Sequence, residues 1–395
     1  MNKLIIILLA AGFVLGQVAR IQVGNIGFTF LDIAVGMSLV TWLVGKTHKR
    51  KPIIVLNTTT KLLGGFIGVG IVSLALFLPH LSLLQFFTAV LYPLRLLFYI
   101  SLYYQARELK KDDRSFALIA VLISGSLIVL LGFIQLMFYP ALRNLYYLGW
   151  DEHLYRMFST FLDPNFAGAF FVLFTLFVID MSLRYKKRIQ KFMLSSLAAF
   201  SFIAVFLTYS RTGFIMLIAG LAIYLLLYLQ KKVAFLALIA CFVVLILVSN
   251  TKIEGLNPFR TASTGARLNS ASNALAIIQK YPFVGVGFNA FRYAQVEMGY
   301  RQEYTPVQNH ADAGTDNSYL FVLATTGILG GLLFTGFIFY SLRFLYGQAR
   351  GGYFPSRSLF AGFVSILVGT LFLNILFYPV IVGLLAVQAG LIRDK

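Results

Sequence analysis

Apolar stretches of membrane-spanning length follow one another along almost the whole chain. A helix that crosses a bilayer needs about 20 predominantly apolar residues, and the chain contains about twelve runs of that kind. They lie near residues 3–19, 25–45, 61–79, 81–106, 115–138, 166–183, 191–209, 211–230, 233–250, 317–345, 358–377 and 378–392. The pattern predicts an all-α polytopic membrane protein with about twelve transmembrane helices.

The basic residues between these runs predict how the helices are oriented. Basic clusters lie at Lys46 to Lys51, Arg107 to Arg114, Arg184 to Lys191 and Gln230 to Lys232, and they alternate with loops that carry few basic residues. Loops rich in lysine and arginine stay on the cytoplasmic side of a membrane. Both termini are therefore predicted to be cytoplasmic, and residues 139–165 and 250–316 are predicted to lie outside.

The chain shows no internal repeat of fixed period and no low-complexity linker. We therefore treat residues 1–395 as a single integral membrane domain whose working face is formed by the outside loops. An alternative interpretation of the first run is a secretory signal, because Lys3 precedes a short apolar stretch that ends near Gly16 and Ala19. Removal of that run would leave the topology of the other helices unchanged.

Composition limits the partners and the chemistry. Hydrophobic residues make up 59% of the chain and charged residues 12%, as expected of a protein embedded in a lipid bilayer. The net charge of +19 follows mostly from the basic cytoplasmic loops, so no nucleic-acid partner is expected. The single cysteine, Cys241, cannot form a disulfide framework. The four histidines lie in separate segments without zinc-binding spacing, so no metal site is expected.

The outside loop at residues 250–316 is much longer than an ordinary connection, and loops of that length are usually functional or disordered. Within it, the segment from Gly265 to Pro282 has apolar residues at helical spacing. These residues are Leu268, Leu275, Ala276 and Ile278. We expect an amphipathic surface helix there. Gly285 and Gly287 follow it, and they permit a tight turn or a close approach of backbone to a ligand or a helix.

Several arginines fall on the predicted outer side, where water meets hydrocarbon. Cations at that depth are costly unless they are paired or used, and guanidinium groups suit the bidentate demands of a phosphate. The outer arginines that we consider as phosphate ligands are Arg156, Arg211, Arg260 and Arg267. The alternative for each is that it extends to lipid headgroups or pairs with a carboxylate. We assign that second role to Arg20, Arg143, Arg292 and Arg301.

Arg95 differs from these because it lies well inside a predicted span. An arginine within the membrane indicates function by default. Two acids also fall within spans and are candidate partners, Asp32 near the outer side and Asp180 near the inner side. A structural ion pair and a substrate contact both explain Arg95.

Four segments in the second half of the chain together resemble a known family. They run from Met157 to Phe170, Tyr209 to Phe214, Ala266 to Phe291 and Asp316 to Gly330. In order and spacing they are similar to the O-antigen ligase and O-antigen polymerase superfamily, over roughly residues 150–345. The resemblance implies a GT-C type membrane glycosyltransferase of the bacterial cytoplasmic membrane. Such an enzyme moves a glycan from an undecaprenyl diphosphate carrier to an acceptor glycan or glycolipid on the outer face, without a nucleotide sugar, a metal or another cofactor.

The resemblance also implies roles for the residues above. Arginines would stabilise the departing diphosphate, and Arg211, Arg267, Arg156, Arg260 and Arg95 are the candidates. In similar ligases a histidine precedes the asparagine that starts the helix after the long loop. Here Asp316 occupies that position and becomes the candidate general base, with His310 as the second candidate.

The start of that helix leaves a competing explanation for Asp316. Acidic and amide side chains cap helix N-termini, so Asp316 is explained equally well as a helix cap. Asn317 and Tyr319 match the rest of the motif and would orient the acceptor or the base. Asp163 with Pro164 indicates another helix start, with proline at the first helical position.

The resemblance leaves the acceptor open. A polymerase adds the glycan to another lipid-linked repeat, whereas a ligase adds it to a lipid A core or another surface molecule. Asp316 in place of the ligase histidine favours the polymerase. From a different class, a secondary transporter or a flippase for lipid-linked glycans would also use about twelve helices and buried charges.

Overall fold

The computed structural model describes residues 3–23, 26–48, 57–228, 261–301 and 314–392. It confirms an all-α polytopic membrane architecture. The α-helices of the described residues are α1 (Lys3–Leu15), α2 (Phe30–His48), α3 (Thr58–Leu76), α4 (Leu83–Arg107), α5 (Lys111–Phe138), α6 (Pro164–Ser182), α7 (Arg188–Leu207), α8 (Arg211–Tyr228), α9 (Thr261–Lys280), α10 (Phe291–Glu297), α11 (Ser318–Arg350), α12 (Ser356–Gly369) and α13 (Pro379–Gly390). Short 3-10 turns span Leu78–His80, Arg143–Leu148 and Ser159–Phe161.

Eight of the described helices are long and apolar enough to cross a membrane, judged by length and composition. They are α2 to α8 and α11, while α1, α12 and α13 are shorter apolar helices. The helix predicted at residues 233–250 lies outside the described residues.

A β-hairpin that the apolar pattern did not predict connects α1 to α2. Strand β1 (Arg20–Val23) pairs antiparallel with β2 (Ile26–Thr29), and Arg20 lies opposite Thr29. The predicted span at 25–45 included strand β2, because Ile26 and Phe28 extend its apolar run, and the predicted span at 3–19 ran past Leu15, where α1 ends. Pairing of the two strands satisfies backbone groups of a segment that connects two apolar helices.

The end of the chain also departs from the apolar pattern. The predicted runs at 358–377 and 378–392 meet without a gap, whereas α12 ends at Gly369 and α13 begins at Pro379. Proline is favoured at the first position of a helix, which explains the second boundary. Residues 370–378 form an irregular connection, and its apolar composition concealed it in the sequence.

Two large hydrophobic clusters hold the helices together. One contains residues of α1, α2, α4 to α8, α12 and α13, and α6 is buried on nearly every side within it. The other contains residues of α3, α4, α9, α10 and α11. Since α4 belongs to both clusters, it joins the two parts of the bundle.

Helix α11 is broken at Gly327, whose backbone has φ 60° and ψ −166°. Beyond the break, the N–H groups of Ile328 and Leu329 donate to the carbonyls of Pro282 and Phe283, at 2.9 and 3.2 Å. In an unbroken helix they would donate to carbonyls four residues earlier. The loop between α9 and α10 therefore takes over hydrogen bonds that the helix loses.

The carbonyls freed by this break are satisfied by the same loop. Val286 and Gly287 donate their N–H groups to the carbonyls of Ala324 and Thr325, at 3.0 and 2.7 Å. The φ of Gly287 is 89°, and a Cβ there would lie 2.4 Å from the Cα of Leu74. The predicted close approach of backbone at the two glycines, Gly285 and Gly287, is confirmed, and the partner is a helix.

The amphipathic helix predicted between Gly265 and Pro282 is confirmed as α9, and its apolar residues divide between two faces, with Ile278 packed against the core. Leu268 and Leu275 are 66% and 49% exposed, whereas Ala274 and Ile277 are fully buried. Leu268 and Leu275 are seven residues apart, so they share one face of the helix, and that face points away from the bundle.

Substitution of Gly327 tests the exchange of hydrogen bonds at the helix break. A Cβ there would lie 2.2 Å from the carbonyl carbon of Phe283, in a backbone region that is essentially restricted to glycine. We expect Gly327→Ala to destabilise the protein by about 1–3 kcal/mol or more. The measurement is the temperature at which the detergent-solubilised protein loses its monodisperse elution peak.

The matched control is Gly68→Ala in α3, where a Cβ meets no atom within 4 Å. That variant should elute like the wild type or withstand a slightly higher temperature, since alanine favours helix. Equal melting of Gly327→Ala and Gly68→Ala would contradict a structural role for the break.

Candidate active site

A cavity of about 2260 Å³ opens at one end of the bundle. Its wall is formed by the β-hairpin, the adjoining parts of α1, α2, α4, α5 and α6, residues 139–163, parts of α9 and α10, residues 314–316 and residues 373–379. All these segments belong to the side that the basic loops predict to be external. The cavity therefore joins both predicted outside loops.

The intramembrane Arg95 pairs with Asp32. Arg95 donates Nε to Oδ1 and Nη2 to Oδ2 of Asp32, both at 2.7 Å. The hydroxyl of Tyr99 donates to Oδ1 at 2.8 Å, and Thr29 donates its N–H and its hydroxyl to Oδ2 at 2.7 and 2.8 Å. The other candidate partner, Asp180, pairs with Arg184, which lies just beyond the C-terminal end of α6. Arg95 also lines the cavity, and its contact with substrate stays a prediction.

Arg20 lies beside this ion pair, because it is opposite Thr29 in the hairpin. Its side chain packs over Gly27, where a Cβ would lie 2.3 Å from the Nε atom. Glycine at this position therefore makes room for the guanidinium group. We had assigned Arg20 to lipid headgroups or a carboxylate, and the structure places it on the cavity wall.

Arg292 is the third cationic residue in this part of the wall. Its Nη2 donates to Oδ1 of Asn289 at 3.2 Å, and the Asn289 amide donates to the carbonyl of Thr88 in α4 at 3.4 Å. We name Arg20, Arg95 and Arg292 the arginine cluster. Arg301 also lines the cavity.

The arginine cluster is close enough for its charges to interact. Burial lowers the pKa of Arg20 below its ordinary value, and the positive charges of Arg95 and Arg292 lower it further. Tyr378 and Asp32 act in the opposite direction. Three guanidinium groups and one carboxylate thus act on one another here. This part of the wall attracts anions.

The start of α11 tests the explanation of Asp316 as a helix cap, while its role as a general base stays a prediction. The side-chain oxygen of Asn317 accepts from the N–H groups of Tyr319 and Leu320, at 2.8 and 3.0 Å. Asn317 is therefore the helix cap, and the explanation of Asp316 as the cap is wrong. The backbone N–H of Asp316 donates to the hydroxyl of Ser270 in α9 at 3.2 Å.

The side chain of Asp316 is half-buried and lines the cavity. Burial raises the pKa of its carboxyl above the ordinary value, the charge of Arg267 opposes this rise, and the charge of Asp163 adds to it. Arg267 also lines the cavity. The raised pKa makes the Asp316 carboxylate a better proton acceptor than an exposed aspartate.

Asn317 and Tyr319 serve the packing of α11 in this structure. The Asn317 amide donates to the carbonyl of Leu371 at 3.1 Å, and the Tyr319 hydroxyl donates to the carbonyl of Leu367 at 2.9 Å. Neither is among the described residues that line the cavity. Their predicted role in orienting the acceptor stays a prediction.

The remaining candidate arginines occupy different surroundings. Arg156 lines the cavity and donates Nε to the carbonyl of Thr208 at 2.9 Å. Arg211 is the first residue of α8 and is not among the described residues of the cavity wall. Arg260 and His310 lie outside the described residues. The roles of these four residues stay predictions.

The outside loop at residues 139–165 contributes a group that sequence reasoning missed. His153 lines the cavity, and burial lowers the pKa of its imidazole below the ordinary value. The negative charges of Asp163 and Asp151 raise this pKa, and the positive charge of Arg156 lowers it further. A neutral imidazole in the cavity is a second possible proton acceptor. Asp163 caps α6 ahead of Pro164, as predicted.

Three further residues of the cavity wall, Arg20, Arg292 and His153, come from segments far apart in the chain, and the sequence analysis assigned none of them to the site. Each lies in or beside a predicted outside segment, and that was the only signal available. Among the described residues, no group of three or more His, Cys, Asp or Glu side chains is placed to hold a metal ion.

Comparison with known proteins agrees with the resemblance seen in the sequence. No curated protein matches the chain. Residues 196–335 match the family model described as O-antigen ligase. This segment includes Arg211, Arg267, Asp316 and the part of α11 up to residue 335, with its break at Gly327. The match supports placing the chain in the O-antigen ligase and O-antigen polymerase superfamily.

Proposed function

We propose that the protein is a membrane glycosyltransferase that polymerises a surface polysaccharide. It moves a glycan from undecaprenyl diphosphate to an acceptor glycan on the outer face of the bacterial cytoplasmic membrane. The observation that carries this proposal is the cavity of about 2260 Å³, in which cationic side chains and the carboxylate of Asp316 meet. A cavity of this kind can hold a lipid diphosphate and a sugar hydroxyl together.

The proposed reaction uses one base and several cations. A hydroxyl oxygen of the acceptor attacks the anomeric carbon of the donor glycan and loses its proton to Asp316. The bond between that carbon and the diphosphate oxygen breaks, and undecaprenyl diphosphate leaves. Arg267 acts on Asp316 and lies on the cavity wall, which supports a role for Arg267 in stabilising the leaving group. Arg156, Arg211 and Arg260 share this role in the proposal. No cofactor is part of the proposal.

The second candidate is a ligase that transfers the glycan to a lipid A core or another surface acceptor. The description of the matching family model favours it. The aspartate at position 316, where similar ligases have a histidine, favours the polymerase. Both candidates share the donor and the leaving group.

A transporter or flippase for lipid-linked glycans is the candidate from another class, and the break in α11 favours it, because transporters use discontinuous helices. The test is purified protein in proteoliposomes with undecaprenyl-diphosphate-linked glycan and no ion gradient. A polymerase produces a ladder of longer lipid-linked glycans. Transbilayer movement of the glycan without a new glycosidic bond would refute the enzyme.

Replacement of Asp316 by asparagine tests the base. Asn317 supplies the helix cap, so Asp316→Asn removes the proton acceptor and leaves the cap in place. We expect kcat to fall by about 10²–10⁴-fold, the usual contribution of a general base. Steady-state transfer rates, normalised to the amount of purified protein, measure the effect.

The control is Asp113→Asn, which changes an acid in the first turn of α5 at the predicted cytoplasmic side. It should transfer glycan at the wild-type rate. A kcat of Asp316→Asn equal to that of the control would remove Asp316 from catalysis and leave His153 and His310 as candidates.

The charges around Asp316 predict the pH dependence of transfer. The deprotonated carboxylate is the active form, so kcat/KM falls as the pH drops below the raised pKa of Asp316. Arg267 lowers this pKa and Asp163 raises it. Arg267→Gln should therefore move the acidic limb of the pH profile to higher pH, and Asp163→Asn should move it to lower pH.

Asparagine at position 163 still caps α6, so its effect on the profile is electrostatic. Arg143→Gln is the control, since Arg143 is exposed and pairs with Glu152. If the acidic limbs of the pH profiles coincide in the wild type and the three variants, a group other than Asp316 controls the profile.

A further inference from the structure

The outside loop at residues 139–163 presents aromatic side chains to the cavity. Tyr147 and Tyr155 line the cavity, and they are 70% and 65% exposed. Rings as exposed as these contribute little to the packing of the loop that carries them. Tyr146 is also exposed, but it is not among the described residues that line the cavity. Tyr147 and Tyr155 are therefore available to a ligand in the cavity.

The loop that carries these two tyrosines is hydrogen-bonded and packed. The N–H groups of Leu142 and Tyr155 donate to the carbonyls of Glu152 and Pro140, both at 2.8 Å. A small hydrophobic cluster that contains Leu142 and Phe158 packs within the loop. Side chains on a loop that is ordered before a ligand arrives lose little conformational freedom on binding.

The backbone of this loop is strained where it borders the cavity. Tyr155 has a φ of 52°, a left-handed conformation that is rare for a bulky residue and costs free energy. Six of the described residues other than glycine have a backbone of this kind, and all six line the cavity. They are His153, Tyr155, Ser159, Leu162, Tyr209 and Asn289. Because strained backbone conformations cluster at functional sites, the conformation of Tyr155 indicates a binding role.

The side chains on this part of the wall suit a saccharide. A sugar ring has an apolar face of C–H groups, which packs on an aromatic ring, and hydroxyl groups, which need hydrogen-bond partners. Asp151 and His153 lie between the two tyrosines in the chain, line the cavity and can accept hydrogen bonds from hydroxyls. A hydrocarbon chain offers no partner to these polar groups.

We propose that Tyr147 and Tyr155 form a stacking subsite for the sugar rings of the glycan. This inference rests on the proposed function for the identity of the ligand, and it assigns the residues that recognise the sugars rather than the diphosphate. The tyrosine rings contact the C–H faces of the sugars, and Asp151 and His153 bind hydroxyls. No bond forms or breaks at this subsite, so it governs the affinity for the glycan and the choice of glycan.

The binding test is saturation-transfer NMR with the full-length protein in proteoliposomes of phosphatidylcholine, a lipid without aromatic groups. The probe is the free glycan, released by mild acid from the lipid-linked glycan of cells that carry the protein. Irradiation of the aromatic protons of the wild type should saturate the C–H protons of the sugars. The double variant Tyr147→Asn, Tyr155→Asn should bind the glycan at least about tenfold more weakly, because it lacks two aromatic contacts.

The control variants separate the rings from the fold. Asparagine tolerates the left-handed backbone at position 155, and a monodisperse elution peak shows that the double variant is folded. Tyr146→Asn removes an exposed tyrosine beside the subsite and should bind like the wild type. The double variant Tyr147→Phe, Tyr155→Phe keeps both rings and should also bind like the wild type.

Two results would overturn the proposal. One is an asparagine double variant that binds the free glycan as tightly as the wild type. The other is a wild type whose aromatic protons transfer no saturation to the sugars, since the tyrosines would then belong to an aromatic belt at the membrane interface. Because the test needs no transfer, it decides the subsite even if the proposed glycosyltransferase activity fails.

The kinetic test applies once transfer is observed. The asparagine double variant should raise the KM for the lipid-linked glycan about tenfold and leave inhibition by undecaprenyl diphosphate, which carries no sugar, unchanged. Arg267→Gln should instead weaken that inhibition. An asparagine double variant that weakens inhibition by undecaprenyl diphosphate as much as Arg267→Gln would place the tyrosines at the diphosphate and overturn the proposal.

Discussion

The exchange of backbone hydrogen bonds at Gly327 is the constraint on which the site depends. Unpaired N–H and C=O groups cost several kcal/mol each where water is excluded, so a helix can break there only if something else supplies partners. The backbone of residues 282–287 supplies them. This contact holds the loop between α9 and α10 against α11, and those two helices carry Arg267 and Arg292 to the cavity wall.

Electrostatics then divides the cavity into two parts. Asp32 receives donors from Arg95, Tyr99 and Thr29, so its charge stabilises Arg95 and leaves the arginine cluster with excess positive charge. Different groups act on Asp316: burial and the charge of Asp163 raise the pKa of its carboxyl, and the charge of Arg267 lowers it. One part of the wall therefore suits an anion and the other suits proton transfer.

Sequence reasoning about the site succeeded where a local pattern carried the information. The pairing of Arg95 with Asp32 could be expected because a charge within a span demands a partner. The role of Asp316 could not be decided, because any of several neighbouring residues caps a helix equally well, and only the coordinates give the cap to Asn317. Arg20 and Arg292 were assigned to other roles because the cavity wall that they share with Arg95 is formed by segments far apart in the chain.

The sequence by itself determined the membrane class, most helix positions and the predicted external side, since these follow from hydropathy and from the charges of short loops. It also indicated the family, through residues that match in order and spacing. Only the tertiary structure decided the hairpin, the break in α11, the exposed face of α9 and the membership of the arginine cluster. These features depend on contacts between residues far apart in the chain, where backbone groups and charges find partners that no local pattern specifies.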